Sequence, residues 1–113
     1  MNHYIALLRF TKKGVEHIKD STKRAHHFHD LAEKAGVKIE GQYWTIGAYD
    51  GVLIISADSE KKALHLLVEL AAGGNVRAET MQAFTDKDFA EIVRLRSTST
   101  DFAETRREPP ETP

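Results

Sequence analysis

Gly41-Gln42-Tyr43-Trp44-Thr45-Ile46-Gly47-Ala48-Tyr49-Asp50-Gly51-Val52-Leu53-Ile54-Ile55-Ser56-Ala57 is the stretch whose reading decides the fold. It carries the single tryptophan and two of the three tyrosines. Tyr43 to Ile46 favour a pleated, half-buried surface. Val52 to Ile55 is a continuous apolar run, too short for a helix and suited to a strand covered on both faces. Two strands joined by a turn result. Gly47-Ala48 and Asp50-Gly51 are both competent to form that turn. We place it at Gly47-Ala48, which gives strands over 37–46 and 49–57. The alternative at Asp50-Gly51 stays open. In the first placement Asp50 sits just inside a strand, where a carboxylate is unfavourable unless paired or wet.

Working outward, residues 3–10 put Tyr4, Ala6, Leu8 and Phe10 on one face of a strand and Ile5 and Leu7 on the other. Thr11 is suited to cap the next segment. Ala25, Phe28, Ala32 and Ala35 recur at helical spacing, and Gly36 stops the run. One interrupted helix over 12–35 results, with a break near Asp20-Ser21. Downstream, Asp58-Ser59 opens a helix over 60–72, which leaves Lys61, Lys62, His65 and Glu69 as its solvent stripe. Gly73-Gly74 closes it with a left-handed cap. Residues 76–84 alternate as a fourth strand. Thr85 then caps a short helix with Asp86 and Asp88 in its first turn and Phe89, Ile92 and Val93 on its buried side.

The order β-α-β-β-α-β plus a helix specifies an α+β chain. It is a ferredoxin-like antiparallel sheet with helices on one face and a short C-terminal helix. Two helices cover one sheet face, yet the first and third strands are apolar in both phases. A second copy of the chain, sheet against sheet, is the economical cover, and the C-terminal helix is the competing one. We expect a homodimer or higher homo-oligomer.

A chain of 113 residues is long enough to bury one core. We assign the domain to residues 1–96 and a mobile tail to 97–113, which holds all three prolines and one large apolar side chain, Phe102. Formal net charge is -1, so no global field draws the chain to nucleic acid or to an anionic membrane. Without cysteine there is no disulfide, thiol nucleophile or thiolate metal site. The start lacks a basic n-region, and no segment approaches membrane-spanning length, so a cytoplasmic protein is expected.

Several stretches resemble the GYD-domain family of small bacterial and archaeal proteins. They are Tyr4 to Thr11 with Gly14-Val15, Ile18-Lys19-Asp20-Ser21, Tyr43 to Gly47 with Tyr49-Asp50, and Gly74 to Thr80 leading to Ala83-Phe84-Thr85. The likeness runs over about residues 4–95. The family's Gly-x-Tyr-Asp signature matches Gly47, Tyr49 and Asp50. Where the family often has proline after Asp-Ser, this chain has Thr22. The resemblance implies a dimeric α/β-barrel fold of the ferredoxin-like kind and no particular reaction. By fold analogy the range extends to cofactor-free monooxygenases, isomerases and small-ligand binders.

Four groups of residues are candidates for chemistry. Tyr49 and Asp50, a phenol beside a carboxylate at a turn, suit proton transfer. The structural alternative makes Asp50 a backbone acceptor and lets Tyr49 pack. Trp44 and Tyr43 point to opposite faces and suit an apolar or aromatic ligand, or are simply core. Arg9 and Arg77 suit an anionic ligand, or pair structurally with Glu79. His26 and His29 lie one helical turn apart and offer two ligands of an incomplete metal site. The alternative is surface histidines. Phosphate loops, dinucleotide fingerprints, nucleophile elbows and zinc-protease motifs are absent from the sequence. The expectation is a homo-oligomeric module that binds a small molecule, with no cofactor, nucleic acid or membrane. The alternative is a cofactor-independent barrel enzyme using Asp50, Tyr49 or a histidine as acid/base.

Overall fold

Alternation along Asn2–Phe10 sends Tyr4, Ala6 and Leu8 to one side of strand β1, and this side becomes the core. The structure is a computed structural model that describes residues 1–97. The tail expected over 97–113 lies outside the described residues beyond Ser97. The chain divides into two units, Met1–Ala83 and the residues from Phe84 onward.

In the first unit β1 is followed by helix α1 (Lys12–Glu16), a 3-10 turn (Ile18–Asp20) and helix α2 (Ser21–Ala35). Strands β2 (Val37–Trp44) and β3 (Gly51–Ala57), helix α3 (Glu60–Ala72) and strand β4 (Val76–Ala83) complete it. The sheet is antiparallel with order β2-β3-β1-β4, the ferredoxin-like arrangement expected. Its helix-side face packs Tyr4, Leu8, Leu53 and Ile55 against Phe28 and Ala32 of α2 and Ala63 and Leu66 of α3. Burying these apolar side chains is the main stabilising term.

The caps agree with the sequence. Thr11 Oγ1 accepts the Gly14 N–H at 3.1 Å, and Ser59 Oγ accepts that of Lys62 at 3.2 Å. Gly36 and Gly74 take the left-handed conformation, with φ of 77° and 76°. The helical break is wider than a single point, since the chain leaves α1 at His17 and re-enters at Ser21.

The structure departs from the sequence reading, or adds to it, at four points. First, β2 ends at Trp44 and β3 begins at Gly51, so the turn is neither two-residue candidate. A loop over Thr45–Asp50 is closed by the Thr45 N–H on the Asp50 carbonyl at 2.9 Å. Asp50 is therefore in the loop and not inside a strand. Second, β2 carries a bulge. Ile39 pairs with Ile55 and Gly41 with Ile54, which leaves Glu40 as the extra residue. Third, Leu64 and Val68 of α3 are exposed beside the expected polar stripe, because Ala63 and Leu66 alone point fully into the core.

Fourth, the second unit holds helix α4 (Asp86–Ser97), in which Thr85 Oγ1 accepts the Asp88 N–H at 3.1 Å. Phe89, Ile92 and Val93, expected on its buried side, are exposed. Among the described residues of this unit α4 is the one regular element, and an apolar stripe on a helix needs a facing element to be buried.

Candidate functional site

The Thr45–Asp50 loop is held against the end of β1 by both backbone and side chains. Asp50 donates its N–H to the Leu8 carbonyl at 2.8 Å, and its Oδ2 accepts the Phe10 N–H at 2.8 Å. Thr45 Oγ1 donates to the Tyr49 carbonyl at 2.7 Å. Gly47 sits at φ 138°, a conformation that side-chain-bearing residues rarely adopt. Arg9 donates from Nε to the Ala48 carbonyl at 3.0 Å and lays its guanidinium over the Tyr49 ring, 4.5 Å from the centroid. The Tyr49 hydroxyl donates to Glu79 Oε1 at 2.6 Å. That hydrogen bond pushes the Tyr49 phenol above its ordinary range, helped by burial and the Glu79 charge and opposed by Arg9.

These contacts assign the charged groups of the sheet's open face. Arg9 stands opposite Arg77 and Leu7 opposite Glu79 in the β1–β4 register. The structural pair expected between an arginine and Glu79 is replaced by the Tyr49–Glu79 bond, with Arg9 on the phenol ring. Arg77 is exposed. Ile5, Leu7, Val52 and Ile54 occupy the same face, each partly buried, with the more exposed Met81 beside them. No element of the first unit covers this face. At its far end the bulge turns Glu40 onto Ser56, whose Oγ donates to Glu40 Oε2 at 2.7 Å. Ser56 is 1% exposed, so this bond satisfies an otherwise buried hydroxyl.

On the helix side lies a cavity of about 390 Å³. Leu8 and Phe10 of β1, Phe28 and Leu31 of α2, Leu70 of α3 and Val76 of β4 contribute its apolar wall. Lys23, Arg24 and His27 line it from α2, and Gln42, Asp50, Glu69 and Asn75 from the remaining sides. Trp44 lines it too, half exposed, with its indole N–H donating to Ser21 Oγ at 2.9 Å. Tyr43 also reaches it, although its ring folds over Gly41 near Ile54, on the opposite face from Trp44.

Of the sequence candidates, Trp44, Tyr43 and Asp50 thus meet at the cavity. Arg9, Arg77 and Tyr49 do not line it. His29 shares a 2.7 Å hydrogen bond with Gln42 Oε1, and His26 is exposed. Among the described residues no three His, Asp or Glu side chains converge to hold a metal ion. Sequence reasoning missed the Glu40 bulge and the Glu79 bond to Tyr49. Gly41 inside a strand signals the former. The latter depends on strand register and has no local signal.

Known proteins share this architecture. Residues 4–93 match the GYD domain. The chain belongs to the GYD domain family. A relative of this GYD domain, the glutamine synthetase and cystathionine beta-lyase binding protein of Thermus thermophilus, is 28% identical over 97 residues. The match spans 85% of this chain and all of the relative. Among solved structures, FFRP-DM1 superposes with a TM-score of 0.55 at 15% identity, over 74% of this chain and 100% of that one. A hypothetical protein of Pyrococcus horikoshii gives 0.50 at 18% identity, over 76% and 93% of the two chains. At these identities the structural likeness is one of fold. Among the described residues no helix is long and apolar enough to cross a membrane.

Proposed function

We propose that this GYD domain is a cytoplasmic binding module that works as a homo-oligomer, with copies joined through the open sheet face. In this reading it holds a small ligand in the cavity between α2, α3 and the sheet. The observation that carries it is the apolar stripe Ile5, Leu7, Val52, Ile54 and Met81 on a face that no element of its own unit covers. A contiguous apolar sheet face is the kind of surface through which soluble proteins associate. The name of the Thermus relative supports a role in holding partners. Glutamine synthetase and cystathionine beta-lyase are the first protein partners to try. Charge is nearly balanced, which gives no support to nucleic acid as a partner.

Native mass spectrometry tests the assembly. The wild type is expected at a dimer mass or a multiple of it, and Ile54→Glu at the monomer mass. A monomeric wild type overturns the oligomer. Co-elution of the purified chain with glutamine synthetase, lost in a buffer-matched control lacking the domain, tests the partner.

A second reading is a cofactor-independent enzyme with Asp50, Tyr49 or a histidine as acid/base. It draws on Asp50 and His27 at the cavity wall. We rank it below the module because Asp50 Oδ2 already holds the Phe10 N–H and the Tyr49 hydroxyl already holds Glu79.

A further inference from the structure

We propose that the cavity takes a compact apolar molecule bearing a single carboxylate. Its apolar body would lie on Phe28, Leu31 and Leu70, and its carboxylate would face Lys23 and Arg24. This rests on the reading of the cavity as a ligand site and adds the chemistry of the ligand. Arg24, His27, Phe28 and Leu31 have the spacing that puts residues on one face of a helix, so a single stripe of α2 supplies apolar wall and basic rim together.

The basic side chains at the rim keep spare donors. Arg24 donates Nη1 to the His17 carbonyl at 2.7 Å and keeps further N–H groups. The Lys23 ammonium makes no hydrogen bond or ion pair among the described residues. Two acids, Asp50 and Glu69, line the cavity from elements other than α2. Asp50 Oδ2 accepts from Phe10, and Glu69 lies 3.7 Å from His65 Nε2. A carboxylate at the α2 rim meets donors that are spare, whereas an ammonium would have to turn to Asp50 or Glu69 on the other walls. A volume of about 390 Å³ is near the lower end of small-molecule sites and is enough for an aromatic or branched aliphatic acid.

Trp44 is the single tryptophan and lines the cavity, so its fluorescence reports occupancy. The test titrates the full chain with phenylacetate, phenylacetamide and phenethylamine, three probes of one body and different heads. Phenylacetate is expected to bind about tenfold more tightly than the amide, the size of one charge-assisted hydrogen bond. Lys23→Gln and Arg24→Gln should each reduce that preference. Lys23→Gln removes no internal bond, so it reads the site even if Arg24→Gln disturbs the turn at His17. Equal binding of acid and amide, or preference for the amine, overturns the carboxylate and leaves the cavity as a ligand site. Failure of all three probes to bind overturns both.

Discussion

The Asp50 carboxylate accepts the backbone N–H of Phe10 at 2.8 Å, across a sequence separation of 40 residues. With the Asp50 N–H on the Leu8 carbonyl, it continues the β1–β3 ladder one step past Gly51, where β3 begins. The aspartate of the Gly47, Tyr49, Asp50 signature thus joins the loop to the neighbouring strand.

Asp50→Ala should lower stability by about 1–3 kcal/mol, because it strands a part-buried N–H that was bonded to a carboxylate. Asp50→Asn keeps a carbonyl acceptor and should lose less. Urea unfolding of the two variants checks this. Equal stability of Asp50→Ala and wild type would refute the joining role.

Tyr49 should ionise at higher pH than an ordinary phenol, because its hydroxyl is bonded to Glu79. A folded pKa that is raised stabilises the native state below the unfolded value, and that contribution is lost as pH rises through the folded value. Glu79→Gln should therefore shift one ultraviolet tyrosine titration step downward, and Tyr49→Phe should delete that step. A titration unchanged by Glu79→Gln counts against the bond.

Glu40 behaves in the opposite sense. The Ser56 hydroxyl holds its carboxyl below the usual range, burial opposes this, and Lys38 and His3 assist. A depressed folded pKa stabilises above the unfolded value and is lost as pH falls through the folded one. The melting temperature of wild type relative to Glu40→Gln should be highest near neutrality and shrink in acid. A difference that stays constant across that range removes the linkage.

Gly14→Ala tests the contact between α1 and the Gly73-Gly74-Asn75 loop. An alanine in a helix is ordinarily favoured over glycine by roughly 0.5–1 kcal/mol. Here the added methyl collides with the Asn75 carbonyl oxygen, which also accepts the Thr11 N–H at 3.0 Å, and crowds the Phe10 ring. Overpacking of this kind lowers stability by about 1–3 kcal/mol, so the variant should melt earlier than wild type. A raised melting temperature would mean that the loop yields.

The sequence by itself determined the element order, the faces of β1 and β3, and the caps at Thr11, Ser59 and Gly36. These depend on local periodicity, short-range hydrogen bonds and backbone freedom, all written within a few residues. The GYD signature and the second apolar face of the sheet were legible for the same reason. Tertiary structure alone decided that Asp50 serves Phe10, that Tyr49 serves Glu79, and that Glu40 bulges onto Ser56. It also decided that α2 brings its basic and apolar side chains to one cavity. Those outcomes depend on strand register and on how helices lie across the sheet. A shift of one residue in either would reassign every partner while leaving the sequence pattern unchanged.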